Sequence, residues 1–77
     1  MDFSWDEAKA KSNLKKHKVS FVEATEVFGD LFSSCVSDPD HSVEEDRYLL
    51  FGTTSKGRSL VISFTECTGV IRIISAR

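Results

Sequence analysis

The sequence predicts an α+β fold, with two N-terminal helices packed on one face of an antiparallel sheet of about four strands. Three observations carry this expectation. Apolar residues recur at helical spacing as far as Phe28, and from Phe32 onward the period changes to two. Helix and strand signals fall in separate blocks rather than alternating, which places the helices together on one side of the sheet. The strand-like runs after residue 47 are joined by loops of a few residues, as in an antiparallel meander.

Phe3-Ser4-Trp5 reads as a short edge strand. Ser4 and Glu7 have the spacing of a capping box, with Asp6 a competing N-cap, and a helix follows over residues 7–17. Glu7 sits in its first turn and Lys15, Lys16 and His17 in its last, which matches the helix dipole. Only Ala8, Ala10 and Leu14 are apolar, so the helix covers the core with a thin stripe. A second capping box, Ser20 to Glu23, opens a more buried helix carrying Phe21, Ala24, Val27 and Phe28. Val19 and Ala24 are placed to form a hydrophobic staple across its start. Residues 32–37 then read as a strand, closed by the breaker run from Asp38 to Ser42. Residues 47–51, 59–65 and 70–76 supply the remaining strands.

Seventy-seven residues make one domain, residues 1–77, which buries only about 60% of its unfolded surface. Apolar content of 40% with 29% charged residues is that of a globular chain. No stretch approaches the roughly 20 apolar residues of a membrane span, and no signal peptide opens the chain, so a cytoplasmic protein without membrane contact is expected. Cys35 and Cys67 read as small half-buried residues in a reducing compartment. No histidine, cysteine and carboxylate cluster has ligand spacing, Asp38-x-Asp40-His41 alone being weak, and no cofactor is expected. The net charge of −2 hides a segregation: residues 1–8 carry −3, residues 9–18 carry +5, residues 19–46 carry −8 and residues 47–77 carry +4. An acidic total argues against indiscriminate nucleic-acid binding but leaves room for a local basic groove.

Alternation in the last strand puts Ile71, Ile73 and Ser75 on one face and Val70, Arg72, Ile74 and Ala76 on the other. Arg72 then emerges mid-strand on the open side. There it either pairs with Glu66 or a carboxylate of the 38–46 loop, or joins Arg77, Arg58 and Arg47 around a phosphodiester, which suits the planar guanidinium fork. His17, at a helix end among Lys15, Lys16 and Lys18, is either a surface residue or a proton carrier near neutrality.

The segments FSWDEAKAKSNLKKHKVSF, EATEVFGD, PDHSVEEDRYLLFGTTSKGRSLVISFTE and IRIISAR together resemble the BrnT family of bacterial toxins. The most specific parts are Trp5, Asp6, Lys9, Asn13, Lys16 and His17, with the terminal run from Ile71 to Arg77. The resemblance implies a RelE-like fold and a type II toxin that cleaves RNA and slows translation. It also implies neutralisation by a BrnA-type antitoxin, in a complex that represses its own operon and contacts operator DNA through the antitoxin. On that reading the cleavage is metal-independent: the RNA 2′-hydroxyl attacks the adjacent phosphorus. Arg72 and Arg77 stabilise the developing charge, His17 or Glu66 acts as base, Lys9 or Lys16 is a phosphate contact or the acid, and Lys9, Lys16, Arg47 and Arg58 contact RNA. Two departures from the family pattern stand out. The basic final helix of the family is absent after Arg77, which exposes apolar sheet surface for pairing with an antitoxin or another copy, and Lys18 stands where glycine is common. The alternative is a catalytically weak antitoxin-binding module acting in operon regulation, with the acidic stretch from Glu23 to Asp46 as its docking surface.

Overall fold

In the computed structural model a five-stranded sheet carries two helices on one side. The structure describes residues 2–38 and 47–77, so most of the expected breaker run, His41 and the acidic triplet at 44–46 lie outside the described residues. The elements are β1 (Asp2–Ser4), α1 (Glu7–His17), α2 (Phe21–Thr25), a 3₁₀ turn (Glu26–Gly29), β2 (Ser34–Ser37), β3 (Arg47–Thr53), β4 (Ser59–Cys67) and β5 (Val70–Ala76). Their order in the sheet is β1-β5-β4-β3-β2. β2 to β5 are antiparallel neighbours, and β1, the short edge strand read at the amino terminus, lies parallel to β5.

Asp6 starts α1: its carboxylate accepts from the backbone N–H of Ala8 at 2.8 Å and of Lys9 at 3.2 Å. Ser4 does not cap the helix: it lies in β1, opposite Arg72 and two residues before the Asp6 cap. Lys18 ends α1 in the left-handed conformation, φ 59°, its N–H bonded to the Leu14 carbonyl. Ser20 caps α2 by accepting from the Glu23 N–H, but the Glu23 carboxylate does not close the box. It turns instead to the Thr54 hydroxyl and the Arg58 guanidinium. Val19 and Ala24 are both fully buried at this helix start.

The core lies between α2, the 3₁₀ turn and one sheet face, where Phe21, Val27, Ile62 and Ile73 are almost completely buried. Burial of each such side chain contributes about 1.5–3 kcal/mol. Gly52 of β3 admits the 3₁₀ turn at close range: a Cβ there would stand 2.7 Å from Val27 Cγ1.

Three expectations are corrected. β2 begins at Ser34 rather than Phe32, because the Asp30 carboxylate accepts from the Phe32 N–H and folds the preceding residues into a turn. Leu31 and Phe32 are left 94% and 92% exposed. Cys35 and Cys67 are exposed rather than half-buried, the first on an outer strand and the second beside the β4–β5 turn. A β-bulge opposite Ser63 and Phe64 inserts Ile74, so Ala76 turns into the core and Ser75 pairs with Ser63 on the open side.

Candidate nucleic-acid interface

Arg72 lies on the sheet face that carries no helix. Its neighbours Ile71 and Ile73 are buried beneath the helices, and alternation sends Arg72 outward, where it is exposed. Across the strands, Arg72 is level with Thr65 of β4 and Ser4 of β1, and Thr65 is level with Arg47 of β3. Arg47 and Arg72 therefore bracket Thr65 in one row, their Cα atoms roughly 10 Å apart at ordinary strand spacing.

Two further rows complete the open face. Leu49, Ser63 and Ser75 form one; Phe51, Val61 and Arg77 form the next. Arg77 is held there by two backbone hydrogen bonds exchanged with Val61, at 2.6 and 3.0 Å. Arg47 and Arg77 both line a depression of about 190 Å³ whose floor includes Ser63, Ile74 and Ser75. The bulge is what brings the Ser75 hydroxyl to this side. Sequence reasoning missed Ser63 and Ser75, since strict alternation assigns Ser75 to the core face.

α1 runs beside the outer edge of β5. Asn13, only 6% exposed, donates through Nδ2 to the carbonyls of Val19 at 3.0 Å and Ala76 at 2.8 Å. Its Oδ1 accepts from the Ala76 N–H at 3.1 Å. Lys9, Lys16 and His17 are exposed on α1, four residues before and three and four after Asn13. The signal that marks Asn13 in the sequence is a poor helix former mid-helix.

The other candidates lie elsewhere. Glu66 is level with Ile71 and therefore faces the helix side, so it does not pair with Arg72. It lines a hollow of about 320 Å³ with Phe28, Cys35, Tyr48 and Phe64. Arg58 is engaged within the fold: its guanidinium donates to Glu23 at 3.0 Å and to the Lys18 carbonyl at 2.9 Å. The structure thus gathers Arg47, Arg72 and Arg77 on the open face and Lys9, Lys16 and His17 on α1, and sets Glu66 and Arg58 apart.

The acidic stretch is also partly occupied. Glu26 accepts from the Ser55 N–H and hydroxyl, which hold its carboxyl below the usual carboxylate range. Asp30 accepts from the N–H groups of Phe32 and Thr53, with the same effect. With Glu23 on Arg58 and Thr54, three carboxylates staple the β3–β4 loop to the helical segment. Among the described residues no three His, Cys, Asp or Glu side chains gather as they would around a metal ion. Nor is any described helix long and apolar enough to cross a membrane.

An open antiparallel sheet with two N-terminal helices on its other side is the RelE-like architecture of small toxin domains. The chain belongs to the BrnT family: the family of the ribonuclease toxin BrnT of type II toxin-antitoxin systems matches residues 5–77. The family implies an RNA substrate and a cognate antitoxin in general terms. A search of curated proteins gave no match.

Proposed function

We propose that the protein is a metal-independent endoribonuclease that slows translation and is neutralised by a BrnA-type antitoxin, through which the complex meets operator DNA. The observation that carries this reading is the grouping of Arg47, Arg72 and Arg77 on one open face, where Arg47 and Arg77 line a depression together with Asp38, Ser63 and Ser75. The RNA 2′-oxygen forms a bond to the adjacent phosphorus as the bond to the 5′-oxygen breaks, leaving a cyclic phosphate and a 5′-hydroxyl. Arg72 and Arg77 stabilise the negative charge that builds on the phosphoryl oxygens, the role in which fixed cations contribute most. Arg47 contacts a neighbouring phosphate. His17 is the favoured acceptor of the 2′-hydroxyl proton, and Lys9 or Lys16, approaching the strand from α1, contacts a phosphate or gives the departing 5′-oxygen its proton. Glu66 faces the other side of the sheet, which makes it the weaker candidate for that step.

Arg72→Ala should lower RNA cleavage by about 10²–10³-fold, the scale of removing one charge-stabilising donor. Growth arrest in a bacterium lacking the antitoxin should disappear with it, while the melting temperature stays near wild type because Arg72 is exposed. Undiminished cleavage by this variant would overturn the assignment.

A second reading, an antitoxin-binding module with weak catalysis, draws on the outer strand β2, whose Val36 is exposed, and on the exposed Leu31 and Phe32 before it. Unaffected growth on expression of the wild-type chain, together with retained antitoxin binding, would favour that reading.

A further inference from the structure

We propose that Asn13 is a positioning residue that joins two separately built sets of cations, Lys9 and Lys16 on α1 and Arg77 on the open face, into one phosphate-binding surface. The proposal rests on the ribonuclease reading and adds to it a residue with no charge of its own. β1 covers the outer edge of β5 only along Val70, Ile71 and Arg72. Past that point no strand among the described residues pairs with the edge. Arg77 exchanges both its backbone hydrogen bonds with Val61, so the preceding residue, Ala76, turns its N–H and C=O away from β4. Those groups are buried and need partners.

The Asn13 carboxamide supplies them as a strand would, with one acceptor for the Ala76 N–H and one donor for its carbonyl. The second Nδ2 hydrogen goes to the Val19 carbonyl and fixes the α1–α2 connection. Aspartate has no hydrogens to donate to the two carbonyls, and an apolar residue would strand three backbone groups. The backbone at residues 76 and 77 is thus gripped on both sides: Ala76 by α1, Arg77 by β4.

The same grip sets how α1 is rotated. Lys11 and Leu14 line a hollow with Phe21 and Val22 of α2, so that flank of the helix faces α2. At about 100° per residue, Lys9 and Lys16 lie on the opposite flank, each about one turn along the axis from Asn13. Since α2 packs on the helix-bearing side, the flank turned away from it is the one nearer the open side, where Arg77 pairs with Val61. Apart from the Asn13 bonds, the polar contact that ties α1 to the rest of the described fold is at its end, from Arg58 to the Lys18 carbonyl, and of its apolar residues Ala10 packs on the core while Leu14 is half exposed.

The test is a double-mutant cycle read through the salt dependence of RNA binding. The probe is a single-stranded oligoribonucleotide methylated at every 2′-oxygen, which cannot be cleaved by 2′-hydroxyl attack. Lys9→Ala with Lys16→Ala should flatten the slope of log affinity against log salt by about 1.4, about 0.7 for each lost phosphate contact. Asn13→Ala, which changes no charge, should flatten it comparably, and removing the two lysines in that background should add nothing. Hydrogen exchange at the Ala76 amide should accelerate in the same variant. If Asn13→Ala does not fold, Asn13→Ser, neutral and able to keep one bond to Ala76, takes its place. Fully additive effects, or a wild-type slope in the Asn13 variant, overturn the inference while leaving the ribonuclease reading intact. A wild-type protein that fails to bind the probe overturns both.

Discussion

Lys18 and Thr68 both hold positive φ, 59° and 48°, a region that costs a residue with a Cβ about 1–2 kcal/mol. Lys18→Gly should therefore raise stability by about 1 kcal/mol, seen as a higher denaturation midpoint with an unchanged slope. Thr68 and Gly69 occupy a tight hairpin turn with both residues at positive φ, for which Asn-Gly is the favoured pair. Thr68→Asn should stabilise to a similar or smaller degree in the same measurement. Asp30 and Glu26 contribute to the stability lost in acid. Their folded pKa values lie below those of the unfolded chain, so their stabilisation is complete above the ordinary carboxylate pKa of about 4 and is lost as pH falls through the folded values. Asp30→Asn should reduce stability at neutral pH and flatten the loss below pH 4, as followed by acid titration of circular dichroism. The strain at Lys18 was legible in the sequence because a helix end has a local signature. The work of Asn13 was not, because its partner Ala76 lies 63 positions away and no spacing rule connects them.

Among the elements, both helices and the meander were readable because each has a strong period and flanking turn residues. β1 has three residues, too few to show that it pairs with β5 or in which direction. The bulge at Ile74 was invisible for a different reason: the run from Val70 to Ala76 alternates adequately without it, and only Ala76 fitting the core selects the shifted register. That shift moved Ser75 onto the candidate interface, so the arginines were found from sequence and the hydroxyls between them were not. The β3–β4 loop and the helical segment are coupled by side chains rather than by a strand ladder. Arg58→Ala should cost about 1–3 kcal/mol, since it leaves the largely buried Glu23 carboxylate with only the Thr54 hydroxyl. Gly52→Ala should also destabilise, through overlap with Val27, by about 1–3 kcal/mol. Thermal melts of the two variants check both values.

For the molecule as a whole, the segregated charge seen in the sequence becomes a division of labour. The negative residues Glu23, Glu26 and Asp30 are spent on internal hydrogen bonds at the β3–β4 end. The cations of α1 and β5 stay exposed on another side, so an acidic protein still presents a positive approach to a polyanion. Among the described residues the sheet is covered on one side only, and its open side mixes Arg47, Arg72 and Arg77 with Leu49, Phe51 and Val61, a composition suited to a strand that offers both phosphates and stacking bases.

The parallel pairing of Asp2, Phe3 and Ser4 with Val70, Ile71 and Arg72 means that the first and last residues of the described chain share one ladder. During synthesis the amino-terminal segment leaves the ribosome long before its partner is translated, and closing so large a loop is slow. The α1 edge, the rotation of its lysines and the seat of Arg77 all await emergence of β5 from the exit tunnel. Until β5 joins the sheet, a nascent chain carries no assembled RNA-facing surface, and the activity proposed for it begins only once that strand is in place.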